Sequence, residues 1–141
     1  MVKFACRAIT RGRAEGEALV TKEYISFLGG IDKETGIVKE DCEIKGESVA
    51  GRILVFPGGK GSTVGSYVLL NLRKNGVAPK AIINKKTETI IAVGAAMAEI
   101  PLVEVRDEKF FEAVKTGDRV VVNADEGYVE LIELEHHHHH H

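Results

Sequence analysis

Apolar and polar residues alternate from Val2 to Thr10 and again from Gly16 to Thr21, a period of two that predicts two strands around the charged turn Arg11-Gly12-Arg13. Gly12 and Gly16 predict a bulge or a close backbone approach. The apolar run Tyr24 to Leu28 predicts a short strand, Ile31 to Gly36 a loop, Ile37 to Cys42 an extended segment, and Ile44 to Val49 a polar link. Ile53, Leu54, Val55 and Phe56 fit a buried strand that Pro57 ends by removing a ladder donor. Val64, Val68, Leu69 and Leu72 recur at roughly 3.6-residue spacing, predicting a helix that closes at Gly76.

Beyond Gly76 the pattern switches twice more. Ala81 to Ile83 reads as a strand, Asn84-Lys85-Lys86-Thr87 as an exposed loop with Thr87 capping a helix over Glu88 to Ala98. That helix is apolar almost all round, which fits burial on the sheet or a surface for another chain. Leu102 to Val105 alternates as a strand, Phe110, Phe111 and Val114 form an amphipathic turn, and Asp125-Glu126-Gly127 joins Arg119–Asn123 to Tyr128–Ile132 as a hairpin. The order predicts one α/β domain over residues 1–133: antiparallel strands in front, two βα units, and a terminal hairpin. Residues 134–141 read as an expression tag.

The chemistry concentrates between Phe56 and the following helix. Gly58, Gly59 and Gly61 make a loop able to reach positive φ, and Ser62 and Thr63 stand where a helix N-cap belongs. The amides of Gly59, Lys60, Gly61 and Ser62 can converge on an anion at the positive end of the helix dipole, with Lys60 adding a full charge. The loop is no nucleotide-hydrolysing motif, because Leu54 replaces its first glycine and Gly61 follows the lysine. A dinucleotide fingerprint needs its third glycine one position before Gly65, and Ser62 has Lys60, not glycine, two positions before it. Weaker candidates are Arg11 with Arg13, able to clamp a carboxylate or phosphate, Asp32, which also fits an Asx-turn, and Asn84.

Composition then removes whole classes of function. All six histidines lie in the tag, so histidine-based hydrolysis and most zinc sites are excluded for the chain alone. Cys6 and Cys42 are the only thiols and cannot complete a metal cluster without outside ligands. A formal charge of −2 offers no field for nucleic acid or an acidic membrane. With no signal peptide or spanning segment visible, a cytoplasmic location is expected.

The run GRILVFPGGKGSTVGSYVLLNLRKNGVAPKAIINKKTETIIAVGAAMAEIP, preceded by GEALVTKEYISFLGGIDKETG, closely resembles the small subunit of the aconitase X family, across nearly all of residues 1–133. The resemblance is strongest to the branch that dehydrates (R)-5-phosphomevalonate to trans-anhydromevalonate 5-phosphate in a modified archaeal mevalonate pathway. It implies a swivelling β/β/α domain and a hydro-lyase active only as a heterodimer. A large subunit would carry a [4Fe–4S] cluster whose open iron acts as a Lewis acid, and the substrate would be a small phosphorylated hydroxy acid. By the same resemblance Ser62 is the base that removes the proton next to the carboxylate. Rival expectations are the cis-3-hydroxy-L-proline dehydratase branch and a non-catalytic anion- or metabolite-binding domain.

Overall fold

The computed structural model describes residues 2–24, 30–58 and 65–132, so most of the expected Tyr24–Leu28 strand and the tag lie outside it. The elements are β1 (Val2–Ala5), β2 (Arg7–Thr10), β3 (Arg13–Val20), β4 (Ile53–Val55), α1 (Gly65–Lys74), β5 (Ala81–Asn84), α2 (Thr89–Ala98), β6 (Leu102–Glu104), α3 (Glu108–Ala113), β7 (Arg119–Asn123) and β8 (Tyr128–Ile132). The described strands form one sheet in the order β1-β8-β7-β3-β4-β5-β6-β2.

The single strand expected over Val2 to Thr10 is in fact two, with different partners. β1 pairs antiparallel with β8, whereas β2 pairs antiparallel with β6 at the other end of the order. The cause lies at Cys6, whose amide donates to the Gly127 carbonyl at 3.0 Å, in the β7–β8 turn. There the ladder with β8 runs out, and the chain takes a new partner. Linking the two ends of the order through one residue gives the sheet its barrel-like closure and leaves no long edge.

β3 is shared between the two halves. Arg13 to Glu17 pair antiparallel with β7, and Ala18 to Val20 pair parallel with β4, which leads on to parallel β5 and β6. Successive residues point to opposite faces of these parallel strands. Leu19, Leu54, Ile82 and Leu102 pack with Leu69, Leu72, Ile91 and Ala95 of the helices. Ala18, Ile53, Ile83 and Val103 pack instead with Val120, Val129 and Phe110. The strands are covered on both faces, which is why they read as unbroken apolar runs.

Residues 31–49 correct the expected extended segment and polar link. Only the bridges Ile31–Val38 and Ile37–Ser48 form there, while Ile31, Val38, Ile44 and Val49 are buried in the helix-side core. Each apolar residue is separated by turns, so the segment contributes single anchors and no strand. Gly76 closes α1 as expected, at φ 74°, with the Val77 amide on the Leu72 carbonyl at 2.9 Å. α2 has Glu88, not Thr87, as its N-cap, without a side-chain capping bond. It buries Ile91, Gly94, Ala95 and Ala98 and leaves Val93 and Met97 partly exposed.

Candidate functional site

Parallel strands present their carboxyl ends to one rim, and there β3 to β6 surround the root of the glycine loop. Gly59, Lys60, Gly61 and Ser62 lie outside the described residues. What is described is the frame that holds both ends of their loop, Phe56 to Gly58 on one side and α1 from Gly65 on the other.

That frame is tightly specified. The Lys85 and Lys86 amides both donate to the Pro57 carbonyl at 3.0 Å, and the Phe56 amide donates to the Ile83 carbonyl at 3.1 Å. Asn84, expected in an exposed loop, is instead fully buried as the last residue of β5. Its Nδ2 donates to the carbonyls of Phe56 at 3.0 Å and Ile83 at 3.3 Å, while its Oδ1 accepts from Thr87 Oγ1 at 3.5 Å. A Cβ on Gly58 would stand 2.7 Å from the Lys86 carbonyl oxygen and 3.2 Å from the Tyr24 ring, so only glycine fits between them.

A second buried polar residue completes the support. Glu104 ends β6 in register with Asn84 and is 6% exposed. Its carboxylate accepts from the Thr87 amide at 2.8 Å and from Arg106 at 3.1 Å. Burial alone would raise its pKa, but the Thr87 amide, the Arg106 hydrogen bond and charge, and the charge of Arg7 together hold it below the usual value. Thr87 thus ties the β5–α2 turn to both strand ends. Its predicted capping role gives way because these buried acceptors and donors need partners more than α2 needs a side-chain cap.

Sequence reading missed Glu104 and Arg106, and gave Thr87 only the role of a helix cap. The available signal was a polar residue terminating an apolar strand, at Asn84 and again at Glu104. On the β3 side, the Thr21 amide donates to the Val55 carbonyl at 3.0 Å, and Thr21 Oγ1 donates to Glu43 at 2.8 Å. Beside Pro57 opens a cavity of about 240 Å³ lined by Thr21, Lys22, Lys85, Glu108 and Phe111 among others. Lys85 Nζ is held there by Glu108 at 2.9 Å, 5.3 Å from the Phe111 ring centre.

The remaining candidates are not gathered at this rim. Asp32 forms the Asx-turn, accepting from the Glu34 amide at 2.8 Å and pairing with Lys39 at 3.5 Å. The Glu34 amide is the main cause holding its pKa low, opposed by desolvation, with Lys39 and the Thr35 amide adding to the lowering. Arg11 lies just before β3, at the end opposite this rim, and lines a different pocket together with Pro101 and Lys80. Cys6 packs with the β7–β8 side and Cys42 with the helix side, and burial pushes the Cys6 thiol up to about 11, away from the thiolate a metal requires. Among the described residues no cluster of three metal-ligating side chains forms, and no helix is long and apolar enough to cross a membrane.

Comparison with known proteins bears on this arrangement directly. The Aconitase X swivel domain family profile matches residues 3–131. The phosphomevalonate dehydratase small subunit of Archaeoglobus fulgidus is 99% identical over 132 residues, covering 94% of this chain and all of that one. The subunit of the same name from Methanosarcina acetivorans is 55% identical, over 94% of this chain and 92% of its own. The crystal structure of Thermococcus kodakaraensis aconitase X in its holo form superposes with a TM-score of 0.88 at 52% identity, covering 94% of this chain and all of that one. A whole-chain match in sequence and in fold leaves one conclusion: this chain belongs to the aconitase X swivel domain family.

Proposed function

We propose that this chain is the small subunit of a hydro-lyase that dehydrates (R)-5-phosphomevalonate to trans-anhydromevalonate 5-phosphate in archaeal isoprenoid synthesis. The observation that carries this reading is the 99% identity over 132 residues to a subunit named for that activity. Its partner is a large subunit, and the pair acts in the cytoplasm, which the two free thiols support.

The thiols of this chain do not fit a [4Fe–4S] cluster, since they sit in different cores and Cys6 is held protonated. The cluster is therefore assigned to the large subunit. This chain supplies the other half of the elimination, proton removal. Ser62 is the base, and it takes the proton from the carbon next to the carboxylate. A serine hydroxyl is a poor base unless its alkoxide form is stabilised, and the amides of Gly59, Lys60 and Gly61, the N-terminus of α1 and the Lys60 charge are the groups within the chain that can do so. The buried Asn84 and Glu104 frame favours this role, because it fixes the chain at Phe56 and the Thr87 turn, where the loop leaves the sheet.

The direct test is anaerobic turnover of (R)-5-phosphomevalonate by this chain with its reconstituted large subunit, scoring the alkene by NMR. Product formed only when both chains are present is the expected result. A stable, cluster-loaded complex that yields no alkene would reject the substrate assignment.

A further inference from the structure

At the end of the sheet opposite the glycine loop, the amino ends of β3, β5 and β6 and the carboxyl ends of α1 and α2 border an open pocket of about 670 Å³. We propose that it is a second site, which binds a small molecule carrying a phosphate or diphosphate group. β3 separates it from the catalytic rim by eight residues, roughly 25 Å of extended chain, so the two sites are distinct.

The charge of the lining favours an anion. Arg11, Arg13, Arg73 and Lys80 face the pocket against Glu15 and Glu99, in a chain whose overall charge is negative. The opposing groups are partly answered from within the protein. Glu15 is paired with Arg119 at 2.9 Å. The negative end of α2 is met by Arg73 Nη1, which donates to the Ala98 carbonyl at 3.0 Å. Lys80 Nζ rests on the Glu15 carbonyl at 3.4 Å. The Arg11 and Arg13 guanidiniums make no hydrogen bond or ion pair among the described residues. They are two planar, bidentate donors left for a ligand.

The turn bearing these arginines is held in place before any ligand arrives. The Gly12 carbonyl accepts from the Ala124 amide at 2.9 Å, and the Gly12 amide donates to Asp125 Oδ1 at 3.2 Å. Gly12 has φ 131°, and a Cβ there would lie 2.7 Å from Pro101 Cγ, so the residue between the arginines must be glycine. The fixed backbone lowers the ordering cost of binding, which then falls on the two exposed arginine side chains alone. The volume falls in the usual range of small-ligand sites, ~300–1,000 Å³.

The test needs no turnover and is independent of the dehydratase reading. Inorganic diphosphate is titrated calorimetrically, at low ionic strength, into a chain ending at Glu133, alone and in complex with the large subunit. One saturable site in both, weakened about tenfold or more by Arg11→Gln with Arg13→Gln, is the expected result. A control, Lys3→Gln, removes a cation stacked on Tyr128 elsewhere and leaves binding unchanged. Absence of binding, or equal loss in the control, overturns the proposal. So does a site that disappears in the complex, which would mean that an acidic segment of the partner fills it.

Discussion

Asn84, wholly buried at the end of β5, donates from Nδ2 to the carbonyl of Phe56 on the neighbouring strand, 3.0 Å away. Phe56 is the residue before Pro57, so this bond fixes the chain where it leaves the sheet for the glycine loop. Asn84→Ala leaves the Phe56 carbonyl with one donor fewer and Thr87 Oγ1 without its acceptor. A stability loss of about 1–3 kcal/mol is expected in urea unfolding. Turnover in the complex should fall as well, because a loop root displaced by an ångström can cost ~100-fold.

Gly58→Ala separates loop placement from core stability. The added methyl meets backbone, the Lys86 carbonyl oxygen, which cannot swing aside as a side chain would. Overpacking of this kind costs about 1–3 kcal/mol, and relief comes only by moving the β5–α2 turn or the loop. Steady-state kinetics should show kcat reduced more than subunit affinity, measured by titrating one chain against the other.

Glu104 makes stability depend on pH in a defined direction. Its folded pKa is depressed, so its contribution is complete above the unfolded value near ~4.3 and disappears as pH falls through the folded one. Glu104→Gln should therefore cost about 1–3 kcal/mol at neutral pH, and the gap to the parent chain should narrow below about pH 4. Denaturant midpoints of both chains from pH 7 to 3 measure it. A gap that widened on acidification would contradict the assignment.

Ser62→Ala tests the proposed base. Dehydration should fall by about 10²–10⁴ or more, the usual share of a general base, while heterodimer formation and circular dichroism stay as in the parent. Near-normal turnover would remove Ser62 from the mechanism.

Cys6 offers a check on the strand switch. With its thiol pushed up to about 11 by burial at the β1–β2 junction, alkylation of the folded chain should be slow at pH 8 and accelerate only at strongly alkaline pH. Mass spectrometry of iodoacetamide-treated protein reads the rate. Rapid labelling at neutral pH would show the junction to be open.

The run of βα units was legible in the sequence because each element carries a local signature. Ile53 to Phe56 is apolar without interruption since both faces of β4 are covered, and Gly76 marks the end of α1 since only a residue at ease with φ 74° closes it there. The anion-loop expectation for Gly58 to Ser62 rests on residue types within one turn, and Gly59 to Ser62 lie outside the described residues. The switch at Cys6 was not, because alternation has the same period whichever strand is the partner, and Gly127 is remote in sequence. Nor was the burial of Asn84 and Glu104. A polar residue at a strand end ordinarily faces water, and these two are enclosed only because β5 and β6 lie side by side under the Thr87 turn. Local structure, the strand from Ile53 and the helix that closes at Gly76, was determined by the sequence itself. Which strands meet, and so which polar groups must satisfy one another beneath the loop, was decided by the tertiary structure, because hydrogen bonds between distant residues leave no periodic mark along the chain.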